Sequence, residues 1–164
     1  MMEYPLLHGT DNISDVYLWL GGTCDERYDW REDFLKHLNL PISYYDPYIR
    51  PGESMDWDES ARRAEVKAKE YARMQLYVIT SDMRGCFSIE EITEAIMSRK
   101  SFLNRGVCVA VIDYRNGFTP DMKRSLEACM ERWNALGATV LTSMEEVLSF
   151  IRKDYSNRYP TLSV

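Results

Sequence analysis

Five short apolar runs, separated by segments of helix length, limit what this chain can fold into. They are Val16 to Leu20, Ile42 to Tyr45, Gln75 to Thr80, Val107 to Ile112 and Thr139 to Leu141. Strands separated by helical segments cannot pair through tight hairpins; their connections are crossovers, which lay them parallel in one sheet. The third and fourth runs are apolar at successive positions, as strands covered on both faces are, and should lie at the centre. The pattern predicts an α/β fold: a flavodoxin-like, doubly wound, five-stranded parallel sheet of order 2-1-3-4-5.

The helices between the runs are marked by their ends. Asp29 precedes Trp30, Phe34, Leu35 and Leu38, one apolar stripe, which predicts a helix near 29–39. Asp58 to Ala72 is charged with few strong hydrophobes and predicts a helix with one face against the sheet. Thr119-Pro120 opens a helix closed by Gly137, and Ser143 opens the last one, to about Tyr155. The one loop rich in proline and glycine, Pro47 to Met55, is a candidate lid or rim. At 164 residues with 45% hydrophobic content, residues 1–164 are expected to form a single domain around one core.

Charge and cysteine usage narrow the function classes. Twenty basic against 26 acidic residues give a net charge of −6, so nothing draws the chain to a nucleic acid polymer or an anionic membrane. The apolar run at Val107 to Ile112 is far short of the ~20 residues of a membrane span, and Met1-Met2-Glu3 opens no basic leader. A cytoplasmic protein is expected. Cys24, Cys86, Cys108 and Cys129 are widely spaced, with only His8 and His37 to assist them, so neither a metal site nor disulfides are expected. Neither histidine lies near a nucleophile in a strand-end loop, which disfavours triad chemistry. Carboxylates remain.

In sheets of this order, ligands bind outside the carboxyl ends of the strands where the order reverses. Two loops lie there: Gly21-Gly22-Thr23-Cys24-Asp25, and Ser81 through Gly85 to Ser88. Gly21, Gly22 and Thr23 could let a ligand approach the backbone, or could form a plain tight turn. They make neither a dinucleotide fingerprint nor a P-loop, so no cofactor is implied. Ser88-Ile89-Glu90-Glu91 has the spacing of a capping box, in which Glu91 only closes the helix end. Ser143-Met144-Glu145-Glu146 has the same spacing. The other reading makes Glu91 a nucleophile facing the crevice, its anionic form favoured by the helix dipole.

Tyr77-Val78-Ile79-Thr80 followed by Ser88-x-x-Glu91-Ile92-x-x-Ala95 resembles the nucleoside 2-deoxyribosyltransferase-like superfamily, which includes nucleotide N-glycosidases. Gly21-Gly22-Thr23, Trp30-Arg31, Tyr44-Tyr45-Asp46-Pro47 and Trp57 extend the likeness over roughly residues 14–112. The resemblance implies that Glu91 is the nucleophile and Tyr17, on the first strand, the aromatic residue that positions it. It implies that Glu65, 26 residues ahead of Glu91, or Asp82 serves the base. It also implies that Gly21, Gly22, Thr23, Trp30, Arg31, Asp46, Pro47, Gly85 and Ser88 line the substrate. The superfamily's aspartate six residues before the nucleophile is here Gly85, with Asp82 the nearest carboxylate. A nucleoside or nucleotide substrate and a homo-oligomer follow from the same likeness, with Tyr71, Tyr155 and Tyr159 as candidate contact aromatics.

Bland readings stand beside these. Glu65 could pair with Lys69 on its own helix, Tyr17 and Trp30 could be core aromatics, and Arg31 could hold a phosphate or simply be exposed. Two function classes stay open: an N-glycosidase or deoxyribosyltransferase, and a non-catalytic nucleotide-binding or sensing domain on the same fold. A receiver domain would need an aspartate at the end of the third strand, which ends instead in Thr80.

Overall fold

The computed structural model describes residues 7–8, 12–24, 28–50, 59–99 and 106–160. In chain order the elements are β1 (Leu7–His8), β2 (Leu18–Gly22), α1 (Trp30–Leu38), β3 (Tyr44–Tyr45), α2 (Glu59–Tyr71), β4 (Met74–Thr80), α3 (Phe87–Arg99), β5 (Gly106–Ile112), α4 (Pro120–Ala135), β6 (Thr139–Leu141) and α5 (Met144–Arg158). The five strands from β2 to β6 are all parallel and, numbered among themselves, run 2-1-3-4-5 as the apolar pattern requires. A sixth strand adds to the expectation: β1 pairs antiparallel with β3 at the edge, over two residues too few to show an apolar period.

Alternation along β4 and β5 divides the core into two layers. Tyr77, Ile79, Val107, Val109 and Val111 face Ala68 of α2, Ile92 and Ala95 of α3, and Trp133 of α4. Leu76, Val78, Cys108 and Ala110 face Trp30 and Phe34 of α1 and Val147 and Ile151 of α5. Helix ends form as their sequences dictate. Asp29 caps α1 and Thr119 caps α4, each side chain accepting backbone amides, and Asn39 ends α1 in the left-handed region at φ 50°.

One irregularity sets the site. The amides of Tyr17 and Leu18 both donate to the Ser43 carbonyl, each at 3.1 Å, which is a bulge at the entry to β2. The extra residue breaks the alternation, so Tyr17 and Leu18 both join the α1/α5 layer while Val16 and Trp19 join the α2–α4 layer.

Candidate active site

Lys69 near the end of α2 reaches across to the first turns of α3. Its Nζ lies 2.7 Å from Glu91 Oε1, with 22% of the lysine and 18% of the glutamate side chain exposed, so the pair is accessible to a ligand. Glu65 stands one turn before Lys69 on α2, half-buried. Burial first, and then the negative charge of Glu91, raise its carboxyl above the usual range, with Lys69 partly offsetting them. Two carboxylates thus lie near one ammonium, Glu91 in an ion pair with it and Glu65 with its carboxyl raised.

Aromatic rings form the floor. The ammonium of Lys69 sits 5.0 Å from the centre of the Trp19 ring, and Trp19 tilts against Tyr77 at 5.3 Å between centroids. Burial, reinforced by the charge of Glu91, pushes the Tyr77 phenol well above its ordinary range. That phenol donates to Gln75 Oε1 at 3.0 Å, and Gln75 Nε2 donates to the Lys69 carbonyl at 2.7 Å. The indole N–H of Trp19 is buried with no acceptor among the described residues.

A second clamp fixes the end of α2. The last carbonyls of a helix have no partner within it and attract a cation. Arg99, from the last turn of α3, donates to the carbonyls of Lys69 (2.9 Å), Glu70 (3.2 Å) and Ala72 (2.6 Å), and also to Arg73 and Gly106. Lys69 and Glu91 therefore sit on helices joined at their carboxyl-terminal ends by one guanidinium.

The capping-box reading of Glu91 is not what forms. Helix α3 starts at Phe87, so Ser88 is its second residue, and the amides of Ile89 and Glu90 donate to the Cys86 carbonyl. Glu91 is then one turn in, where the helix dipole has weakened, and Lys69 supplies the local positive charge instead. At Ser143 the same spacing does close: Glu146 N donates to Ser143 Oγ at 3.2 Å, while Glu146 Oε2 accepts from the amides of Ser143 and Thr142.

The first switch-point loop serves the fold. A Cβ on Gly21 would fall 2.1 Å from the Trp19 ring, and one on Gly22, at φ +114°, would fall 2.1 Å from the Val78 carbonyl oxygen. These glycines make room for a ring and a strand. Thr23 is buried; its Oγ1 accepts from Thr80 N and its carbonyl accepts from Trp30 Nε1 and Arg31 Nη1, both at 2.9 Å. Trp30 packs on Phe34, as the core reading has it. Arg31, 1% exposed, holds the carbonyls of Leu20 and Thr23 and pairs with Asp46 at 3.3 Å. Its donors face backbone and Asp46, so it does not lie exposed. Asp46 in turn pairs with Arg50 at 2.9 Å and, before Pro47, accepts from the Tyr48 amide. The proposed rim is tied down up to Arg50, which also binds Asp29 at 2.6 Å. Asp25, residues 51–55, Trp57 and Asp58 lie outside the described residues.

The structure does not bring Tyr17 to Glu91. The bulge turns it to the opposite layer, where its hydroxyl donates to Asp154 Oδ2, and Trp19 takes the place beside Lys69. Asp82 sits in the turn after β4, its amide on Thr80 Oγ1, and is not among the charges acting on Glu65. Gly85 is exposed with nothing within 4 Å of where a side chain would start. Of the residues expected at the site, Glu65 and Glu91 come together. Lys69 as the partner of Glu91 and Trp19 as its floor went unread; the one signal for Lys69 was its place one turn after Glu65. Set against known proteins, the chain matches no family model and no curated sequence. Among the described residues no helix is long and apolar enough to cross a membrane.

Proposed function

We propose that the chain cleaves or transfers at the N-glycosidic bond of a nucleoside or nucleotide, with Glu91 as nucleophile and Glu65 as the acid serving the base. The observation that carries the reading is the pairing of two carboxylates with divided roles: Glu91 in an ion pair with Lys69, and Glu65 with its carboxyl raised by burial and by Glu91. An oxygen of Glu91 attacks C1′, the bond from C1′ to the base nitrogen breaks, and its electron pair leaves with the base, which takes a proton from Glu65. Water then opens the glycosyl ester in a hydrolase, or a second base opens it in a transferase, and either route retains configuration at C1′. Asp82 is the alternative acid in this reading, and Tyr17 has no part in it.

The test is base release from a panel of nucleosides and 5′-nucleotides, with and without an added free base. Glu91→Gln keeps the size of the side chain and should abolish turnover while the fold persists, because an amide forms no glycosyl ester. Glu146→Gln, at the capping box that does form, and Glu90→Gln, on the exposed side of α3, should leave turnover near that of the unaltered chain. Turnover retained by Glu91→Gln would remove the nucleophile from the scheme.

A non-catalytic nucleotide sensor is the second reading, favoured by Gly85 in the place of the superfamily's aspartate and by the seating of Tyr17 on Asp154. Tight binding of a nucleotide without base release would select it. A cytoplasmic homo-oligomer completes the proposal. Tyr155 is buried against Tyr17 and is unavailable as a contact, whereas Phe87, Val66, Met97 and Tyr71 are exposed on α2 and α3. Light scattering that returned a monomer at micromolar concentration would count against assembly.

A further inference from the structure

We infer that Lys69 stabilises the departing base by receiving the negative charge that Glu91 gives up. The inference rests on the proposed glycosyl transfer and adds a residue that neither the superfamily likeness nor the capping reading assigns. Before reaction the anion is Glu91, 2.7 Å from Lys69 Nζ. As Glu91 forms its bond to C1′ it becomes a neutral ester, and the electron pair of the breaking bond carries the same unit of negative charge first onto the base and then, as Glu65 gives up its proton, onto the Glu65 carboxylate one turn before Lys69. Lys69 does not change charge, so it loses one anionic partner as another appears beside it. An interaction that strengthens only as the bond breaks lowers the barrier rather than the ground state.

The placement suits this role. An ammonium has three donors, and in this structure one is directed to Glu91. The Trp19 ring below it at 5.0 Å favours the cation, and the Lys69 backbone is gripped through its carbonyl by both Gln75 and Arg99. The backbone that carries the ammonium is therefore held in place, and the ring and Glu91 localise its charge. The role names a feature of the substrate: an acceptor atom next to the glycosidic nitrogen, such as O2 of a pyrimidine or N3 of a purine, on which negative charge gathers until Glu65 delivers its proton. The ion pair restrains Glu91 as a nucleophile before reaction, so Lys69 is an advantage only where expulsion of the leaving group is difficult.

That asymmetry supplies the experiment. The whole protein is compared as Lys69→Met, which keeps the stem on Trp19, as Lys69→Arg, and as Lys67→Met on the exposed side of α2, using thymidine and 4-nitrophenyl 2-deoxyriboside. Thymine is a poor leaving group and 4-nitrophenolate a good one. Lys69→Met should lose about 100- to 1,000-fold in kcat on thymidine, the scale for removing one preorganised donor. On the nitrophenyl glycoside it should change by less than about tenfold. Lys69→Arg should recover part of the thymidine loss, and Lys67→Met should match the unaltered chain on both. Equal losses on the two substrates would make Lys69 a residue that merely positions Glu91, and no loss on either would remove it from the reaction; both results overturn the inference. If Lys69→Met does not fold by circular dichroism, Lys69→Gln is put through the same pair of substrates. An unaltered chain that releases base from no nucleoside or nucleotide refutes the glycosyl-transfer reading itself, and this inference with it. An active chain with an unchanged substrate ratio in the variants refutes the inference alone.

Discussion

The hydroxyl of Tyr17, just ahead of β2, donates to Asp154 Oδ2 on α5 at 2.5 Å, joining residues 137 positions apart. Arg73 completes the arrangement with two bonds to the same carboxylate, at 3.0 and 2.9 Å. Tyr17 and Arg73 border an open cavity of about 240 Å³ with Ser43, Tyr155 and Arg158 at the amino-terminal ends of the strands. Although burial works against its charge, the bonds from Arg73 and Tyr17 hold the Asp154 carboxyl below the usual range. Asp154→Asn should therefore lower stability at neutral pH by about 1–2 kcal/mol. A lowered folded-state pKa adds stability above the unfolded value and loses it as pH falls through the folded one, so the gap between the two chains should close in acid. Denaturant melts between pH 7 and pH 3 measure it; a gap independent of pH would mean that the ion pair is not its source.

Glu65 has the opposite sign. Its carboxyl is raised in the folded chain, so the stability linked to it is present in acid and is lost as pH rises through the folded value. Glu65→Gln should raise the melting temperature at pH 7–8, with the difference vanishing below the ordinary glutamate range. Base release should fall in the same variant, separating a gain in stability from a loss in activity. A lower melting temperature at pH 8 would show that its pairing with Lys69 outweighs the burial and repulsion.

Arg31 distinguishes a fold residue from a phosphate ligand. Its planar fork reaches three carbonyls and Asp46 inside the core, a geometry that a lysine ammonium cannot reproduce. Arg31→Lys keeps the charge beside Asp46 but leaves buried carbonyls unpaired, and should cost about 1–3 kcal/mol. Thermal melts give the answer: an unchanged melting temperature with a raised KM for nucleotides would make Arg31 a ligand residue after all.

Gly21→Ala tests the floor of the site. The added methyl would meet the Trp19 and Tyr77 rings at 2.1 and 2.7 Å, and both rings are fully packed. Overpacking of this kind costs about 1–3 kcal/mol or more and should shift the Trp19 indole and hence the tryptophan emission. Unaltered emission and stability would mean that the rings yield without strain.

The layer order was legible because burial on both faces writes continuous apolar runs at β4 and β5, and helix caps mark their own positions. The site was half legible. Glu65 and Glu91 could be paired through resemblance, but two identical Ser-x-x-Glu spacings have different fates. Ser143 stands outside its helix with the Thr142 amide beside it, while Ser88 stands inside one that begins a residue earlier, within reach of Lys69. Spacing along a chain carries neither a helix start to one residue nor a cation from another helix. The bulge at Tyr17 was hidden for a similar reason: one extra residue reverses which side chain meets which layer, and nothing in Val16-Tyr17-Leu18 signals it. Tyr155 reads as a surface aromatic from its place near the chain's end, yet the ring of Tyr17 covers it.

The guanidinium of Arg99 carries a stereochemical consequence. In carboxylate pairs that work on glycosides, the gap between the two groups decides whether configuration is retained or inverted, with a few ångströms separating the outcomes. Here the helices bearing Glu65 and Glu91 meet at Arg99, which binds three carbonyls of the α2 terminus from the end of α3. The spacing of the two carboxylates is thus tied to a guanidinium at the carboxyl-terminal end of both helices. A shorter side chain at position 99 would let α2 and α3 splay and admit a water between sugar and nucleophile. The choice between double displacement and direct hydrolysis would then rest on a residue that never meets the substrate.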